Sequence, residues 1–455
     1  MSTIARKWAE FAVALKYEDL PADVIHQAKR FLFDSVGCAL AGFYAHDVQI
    51  AHDVCKELGG KPEATVFGSG WRTSACHAAF LNSLMIRVLD YNDIYWKQDP
   101  SHPSDIIPAP LALGEREHKS GRDLITAIVL AYELEQRLCE FAFPGLRERK
   151  WHHASLTQLA SPVAAGKMLD LTVDQMVNAI GISGCHNLTL GAVTAGKLTM
   201  MKNTVDPLAV QSGVMAALLA RQGYTGPEAI FEGKEGLMDT LGGEFAPEIL
   251  TEGLGESYRI SDCAMKAFPT EALTHSPITA TLKLVHEHDI RPQEVTGVLV
   301  KTIARAVDIL ADPSKYHPTS KETADHSLPY CIAVAIVDRQ VTTAQFHEGR
   351  LRDPDVLALI PKIRAVADPE FEALFPEKKP AEVVIETNRG TFSARVDYPK
   401  GDPREPMTDE ELGQKFGALT EGILSDNRRK RIADAIWQVE QFDVLEPFCS
   451  LLVAG

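Results

Sequence analysis

For roughly its first 260 residues the chain repeats apolar side chains at three-to-four spacing, helix after helix, and then the period changes. Pro21 stands where a first helical residue belongs, and Val24, Ala28, Phe31, Ser35 and Cys38 follow on one face. That helix ends in Gly37-Cys38-Ala39-Leu40-Ala41-Gly42, small enough for a second helix to approach closely. Thr73 or Ser74 caps residues 75–88, Ser120 precedes the apolar run 124–138, and Thr172 with Gln175 makes a capping box. Residues 206–222 read as a helix stopped by Gly223.

Beyond residue 260 the pattern is mixed. Residues 295–303 are rich in β-branched side chains, and Glu382-Val383-Val384-Ile385-Glu386-Thr387, Asn388-Arg389-Gly390 and residues 391–396 read as a hairpin. Helical stretches at 277–288, 328–337 and 353–359 lie between them. A joint rich in proline and glycine, Asp397-Tyr398-Pro399-Lys400-Gly401-Asp402-Pro403, precedes a second capping box at Thr408 and Glu411 and a helix over 427–442. The expected fold is mainly α: a large all-helical domain formed by both chain ends, residues 1–265 and 403–455, with a smaller α+β domain, residues 266–402, inserted between them.

Charge narrows the partners. Lys and Arg number 46 against 62 Asp and Glu, a net charge of −16 that repels phosphate backbones and anionic lipid. Nucleic acid and membrane surfaces are therefore excluded as expected partners, and an anionic substrate needs a local cationic pocket. No apolar run approaches the ~20 residues of a membrane span, and the opening MSTIARKWAEFAVALKYEDL reads as a first helix rather than a signal peptide. The eight cysteines are scattered with no CxxC pair, which argues against a zinc site, an iron–sulfur cluster or a disulfide framework and for a reducing cytoplasmic location. No metal and no cofactor is expected.

Several segments carry reactive side chains. Gly191-Ala192-Val193-Thr194-Ala195-Gly196-Lys197-Leu198 matches a phosphate loop until its last position, where Leu198 cannot hold magnesium, so a flexible glycine loop is the better reading. His286-Glu287-His288-Asp289 reads as a solvated helix end. Leu89-Asp90-Tyr91-Asn92-Asp93-Ile94-Tyr95-Trp96, with Ser101-His102-Pro103-Ser104-Asp105 after it, is either a capping loop or a site carried on a helical scaffold. His152 and His153 open a helix, either as a plain surface pair or, since the dipole disfavours the cation, as a neutral base. Lys202 stands just before a helix, as an anion-binding group or a plain solvated lysine. Lys266-Ala267-Phe268-Pro269-Thr270-Glu271, with Thr274-His275-Ser276, lies at the change of composition, and Thr323-Ala324-Asp325-His326-Ser327-Leu328-Pro329-Tyr330 starts a helix in the α+β part.

Taken in order, these segments, together with Phe33-Asp34-Ser35-Val36-Gly37, resemble the MmgE/PrpD family, which includes 2-methylcitrate dehydratase, cis-aconitate decarboxylase and iminodisuccinate epimerase. The resemblance covers nearly the whole chain. It implies a helical body with an α+β lid, a homodimer, and a site in the cleft between the two parts that needs neither metal nor organic cofactor. By motif match, Asp90, His102, His153, Lys202, Lys266, His275 and Tyr330 line that site. Ile94 stands where relatives often have Thr. Glu271 stands where the decarboxylase branch tends to have His, which makes the stretch look more like the dehydratase branch. The expected activity is a hydro-lyase acting on a small carboxylate, dehydrating a 3-hydroxy tricarboxylate such as 2-methylcitrate or citrate. Epimerisation and decarboxylation are the alternatives through the same carbanion chemistry, and a non-catalytic binding protein is the last. Lys202 and Lys266 are expected to bind carboxylates, His153 or His102 to serve as base or acid, Asp90 to orient one of them, and Tyr330 to donate to the leaving oxygen.

Overall fold

The computed structural model describes residues 2–195 and 198–453 and is mainly α, with 19 α-helices and four small sheets among the described residues. Gly196 and Lys197 of the glycine-rich run lie outside them. Gly191–Val193, just before, form a short 3-10 turn and not the strand-to-helix junction of a phosphate loop. No described helix is long and apolar enough to cross a membrane.

The local signals place the helices closely. Ala22–Gly42 begins after Pro21. Ser74 accepts the His77 N–H to cap Ala75–Arg87, and capping boxes start Gly121–Leu138 (Ser120, Asp123), Val173–Gly184 (Thr172, Gln175) and Asp409–Thr420 (Thr408, Glu411). A Cβ on Gly42 would lie 2.2 Å from the Met85 carbonyl oxygen, so glycine is what lets Ala22–Gly42 touch Ala75–Arg87. One boundary differs. The helix expected from residue 206 begins at Met201 and runs to Arg221, which places Lys202 inside its first turn. The apolar period fails there because Lys202, Asn203 and Asp206 are buried polar residues.

Apolar side chains gather in two main clusters. One draws on residues 4–265 and 407–452, the other on residues 272–394 together with Ile94 and Trp96. The second surrounds a four-stranded sheet in the order Gly390–Val396, Ala381–Thr387, Val295–Thr302, Ile363–Ala367, antiparallel except for the last pair. Val383 lies opposite Val300 and Ile385 opposite Val298, all buried on the face covered by His275–Glu287 and Leu328–Asp338. The exposed end of His275–Glu287 carries His286, Glu287 and His288, as its polar sequence requires.

A small sheet positions the site. Asp93–Trp96 pairs with Pro100–Ser101 on one side and with Ala264–Met265 on the other, so the loop from Asp90 to His102 is laid beside Lys266. Gly401 supports this from behind: its carbonyl accepts the Met265 N–H, its φ is +93°, and a Cβ there would sit 1.8 Å from the Met265 oxygen.

Candidate active site

Asp90 follows the end of Ala75–Arg87 in a left-handed conformation, φ +51°, which turns its carboxylate back into the interior. Oδ1 accepts from Lys266 Nζ at 2.7 Å and from the Arg87 guanidinium at 3.2 Å, and Oδ2 lies 3.2 Å from Lys202 Nζ. Burial pushes this carboxyl up, but Lys202, Lys266 and Arg87 outweigh it and hold it well below the usual carboxylate range. Burial pulls Lys202 down to about 8, with Asp90 opposing. Asp90 was expected to orient a histidine. It instead anchors cations, because both oxygens face ammonium and guanidinium groups and the nearest histidine nitrogen, Nε2 of His326, is 4.0 Å away.

The histidines are fixed by their partners. His102 Nδ1 lies 2.5 Å from the Asp93 carbonyl oxygen, which can only accept, so Nδ1 carries the proton. Nε2, on the opposite edge, then keeps its lone pair and faces the cavity that His102 lines. Burial, then Arg87 and Lys266, hold the imidazole well below its ordinary value, so it is neutral. His153 turns its Nε2 toward Asp206 at 3.4 Å, and burial lowers it despite that carboxylate. Behind Asp206, the Thr157 hydroxyl lies 2.6 Å from Glu135 and 3.0 Å from Asp206. Burial pushes the Glu135 carboxyl well above its usual range, with Asp206 reinforcing the rise and the Thr157 hydroxyl opposing it. A chain Glu135–Thr157–Asp206 therefore sets the orientation of His153.

The α+β part supplies the opposite wall. His326 donates Nδ1–H to Asp325 at 2.6 Å, and Asp325 also pairs with Lys321 at 2.8 Å. Lys321 donates to the Val88 carbonyl at 2.6 Å, tying this wall to the helical body. Glu271 accepts the Leu273 N–H on Oε2 at 2.7 Å, and burial pushes its carboxyl up to about 7. Ile94, Trp96 and Ala272 make an apolar side. The space these residues line is about 60 Å³ and half open, and it shares Arg147, His152 and His153 with a neighbouring groove of about 910 Å³. The Arg147 backbone is held by Asp99, which accepts the N–H groups of Leu146 and Arg147, and its guanidinium has no hydrogen-bond or ion-pair partner among the described residues.

Two expected residues are elsewhere. The Tyr330 hydroxyl donates to the Gln345 carbonyl at 2.6 Å inside the second core, beside Phe346, so the residue is turned away from the cavity by its own buried hydrogen bond. His275 lines the adjacent space behind Lys266 and Ala272, with Nε2 3.3 Å from the Thr270 carbonyl. Among the described residues, two groups bring carboxylate and imidazole atoms within 4.8 Å of one another, His152, His153 and Asp206, and Asp90, Asp325 and His326. Arg87 in the first case and Lys202 and Lys266 in the second already neutralise the carboxylates, so a divalent cation would meet adjacent positive charge.

The MmgE/PrpD N-terminal domain model matches residues 6–250 and the MmgE/PrpD C-terminal domain model matches residues 268–440. The chain belongs to the MmgE/PrpD family. It is 28% identical to the cis-aconitate decarboxylase-like protein oryM of Aspergillus oryzae, across 96% of this chain and 94% of that protein. It is 26% identical to cis-aconitate decarboxylase of Homo sapiens, across 99% and 95%. With 2-methylcitrate dehydratase of Escherichia coli it shares 26% identity across 82% and 81%. In this MmgE/PrpD chain Asp90, His102, His153, Lys202 and Lys266 converge on one cavity. Sequence reasoning passed over Arg87, Arg147, Glu135, Asp206 and the site role of His326. Arg87 was visible as an i, i+3 partner of Asp90, and Glu135 as an acid inside an otherwise apolar run; Arg147 gave no local signal.

Proposed function

We propose that the chain is a lyase that removes a proton from carbon next to a carboxylate, and that its reaction is the dehydration of a 3-hydroxy tricarboxylate, 2-methylcitrate or citrate. The observation that carries this is the neutral His102, its unprotonated Nε2 facing a cavity lined by Lys202, Lys266 and Arg147. His102 Nε2 takes the proton. Lys202 and Lys266 stabilise the charge that moves onto the adjacent carboxylate, where water-excluded cations are most effective. Arg147, unpaired at the mouth, suits a bidentate grip on an outer carboxylate. The apolar side of Ile94, Trp96 and Ala272 favours 2-methylcitrate over citrate.

A second reading is decarboxylation, favoured by the match of decarboxylase relatives across nearly the whole chain. Proton NMR in deuterated water with citrate, 2-methylcitrate and cis-aconitate separates the two. A new alkene signal from a hydroxy acid supports dehydration, loss of carbon dioxide from cis-aconitate supports the second reading, and deuterium exchange alone points to epimerisation. A homodimer and a cytoplasmic location belong to the same proposal. Ile50, Val54 and Leu58, exposed one turn apart on His46–Leu58, support the dimer. Sedimentation equilibrium is expected to give twice the 49.9 kDa chain mass, and a mass of one chain would refute it.

A further inference from the structure

We propose that Glu271 is the catalytic acid, delivering its proton to the hydroxyl that leaves as water, an assignment that rests on the dehydration reading above. His102 comes from the helical body and Glu271 from the loop that leads into the α+β part, so base and acid reach the same cavity from different walls. The Glu271 carboxyl is held at one end only. Oε2 accepts the Leu273 N–H, the residue's own N–H donates to the Asp325 carbonyl at 3.0 Å, and Oε1 has no partner among the described residues. Lys266, Asp90 and Arg147 are the charges that act on it, and Lys202 and His326 share its cavity.

Burial, reinforced by Asp90 and opposed by Lys266, lifts the group to about 7, close to the value at which an acid both holds and yields its proton at neutral pH. The competing donors are less suited. Tyr330 is occupied by Gln345, His326 gives its Nδ1 proton to Asp325, and Lys202 is paired with Asp90. The step balances. The C–H proton passes to His102 Nε2, its electron pair forms the carbon–carbon double bond, and the C–O bond breaks. The hydroxide takes the Glu271 proton and departs as water. The proton on His102 returns to Glu271 through solvent.

The test is Glu271→Gln, which keeps an oxygen for the Leu273 N–H and has no acidic proton. Dehydration of citrate or 2-methylcitrate is expected to fall ~10²–10⁴-fold, while deuterium exchange at the substrate carbon, the His102 step, continues. Wild-type turnover is expected to decline as pH rises through about 7, and that limb is expected to vanish in Glu271→Gln. Binding of tricarballylate, a saturated tricarboxylate, measured by calorimetry, checks that the variant's site is intact, and Glu271→Asp is expected to restore part of the rate. A Glu271→Gln enzyme that dehydrates within tenfold of wild type and keeps the limb near pH 7 overturns the assignment alone. Wild-type protein that dehydrates neither hydroxy acid overturns the dehydration reading and the assignment with it.

Discussion

His102→Ala is expected to lower turnover ~10²–10⁴-fold and to leave the unfolding temperature close to that of wild type. Among the described residues the ring makes a single hydrogen bond, Nδ1–H to the Asp93 carbonyl, at the edge of a cavity where water can replace it. Its loss therefore falls on chemistry. The imidazole is held well below its ordinary value by burial and then by Arg87 and Lys266. A base must be unprotonated, so the rate rises as pH climbs through that depressed value and no limb belonging to His102 appears near pH 6.5. His153→Ala is the informative control. Its Nε2 is directed at Asp206, so it is expected to cost less than His102→Ala. The reverse order in kcat would transfer the base role to His153.

The features legible in the sequence were those written within a few residues. Capping boxes at Thr172 and Thr408 marked helix starts because cap and partner lie three positions apart. The hairpin turn at Asn388 and Arg389 was legible because turn chemistry is local. The site was legible only as a set of segments, since the resemblance named Asp90, His102, His153, Lys202 and Lys266 without saying what each would touch. Roles depended on distant partners. Asp90 faces Lys202 and Lys266, more than 100 positions along the chain, and so became an anchor for cations. Tyr330 stands in the right segment, yet a carbonyl 15 residues on captures its hydroxyl. Nothing near Glu271 announces a carboxyl near neutrality, because burial and the charges of Lys266 and Asp90 exist only in the folded chain.

Lys415→Met is expected to destabilise the protein by about 3–5 kcal/mol, the usual cost of removing one partner of a buried pair. Lys415 lies on Asp409–Thr420, the helix that returns after the α+β part. Its Nζ is 2.7 Å from Asp34 Oδ1 and donates to the carbonyls of Tyr91 and Lys266 at 2.6 and 2.9 Å. Both members of the pair are about 2% exposed, so water cannot replace the lost partner. Asp34 is already pushed above its usual value by burial, with Lys415 the main opposing influence; without Lys415 it moves further up. The sign follows: a carboxyl raised in the folded state opposes folding once the unfolded chain ionises, so the deficit is expected to shrink at acidic pH and to grow as pH rises toward the folded value. Asp34→Asn combined with Lys415→Met removes the stranded acid and is expected to recover most of the stability. It still leaves the Tyr91 and Lys266 carbonyls without their donor, so turnover is expected to stay below wild type, because those two backbones frame Asp90 and carry Lys266. Thermal and urea unfolding of the single and double variants beside their kcat tests both halves. A Lys415→Met protein as stable as wild type would sink the ion-pair argument, and a double variant with full turnover would show that Lys415 does not position the site.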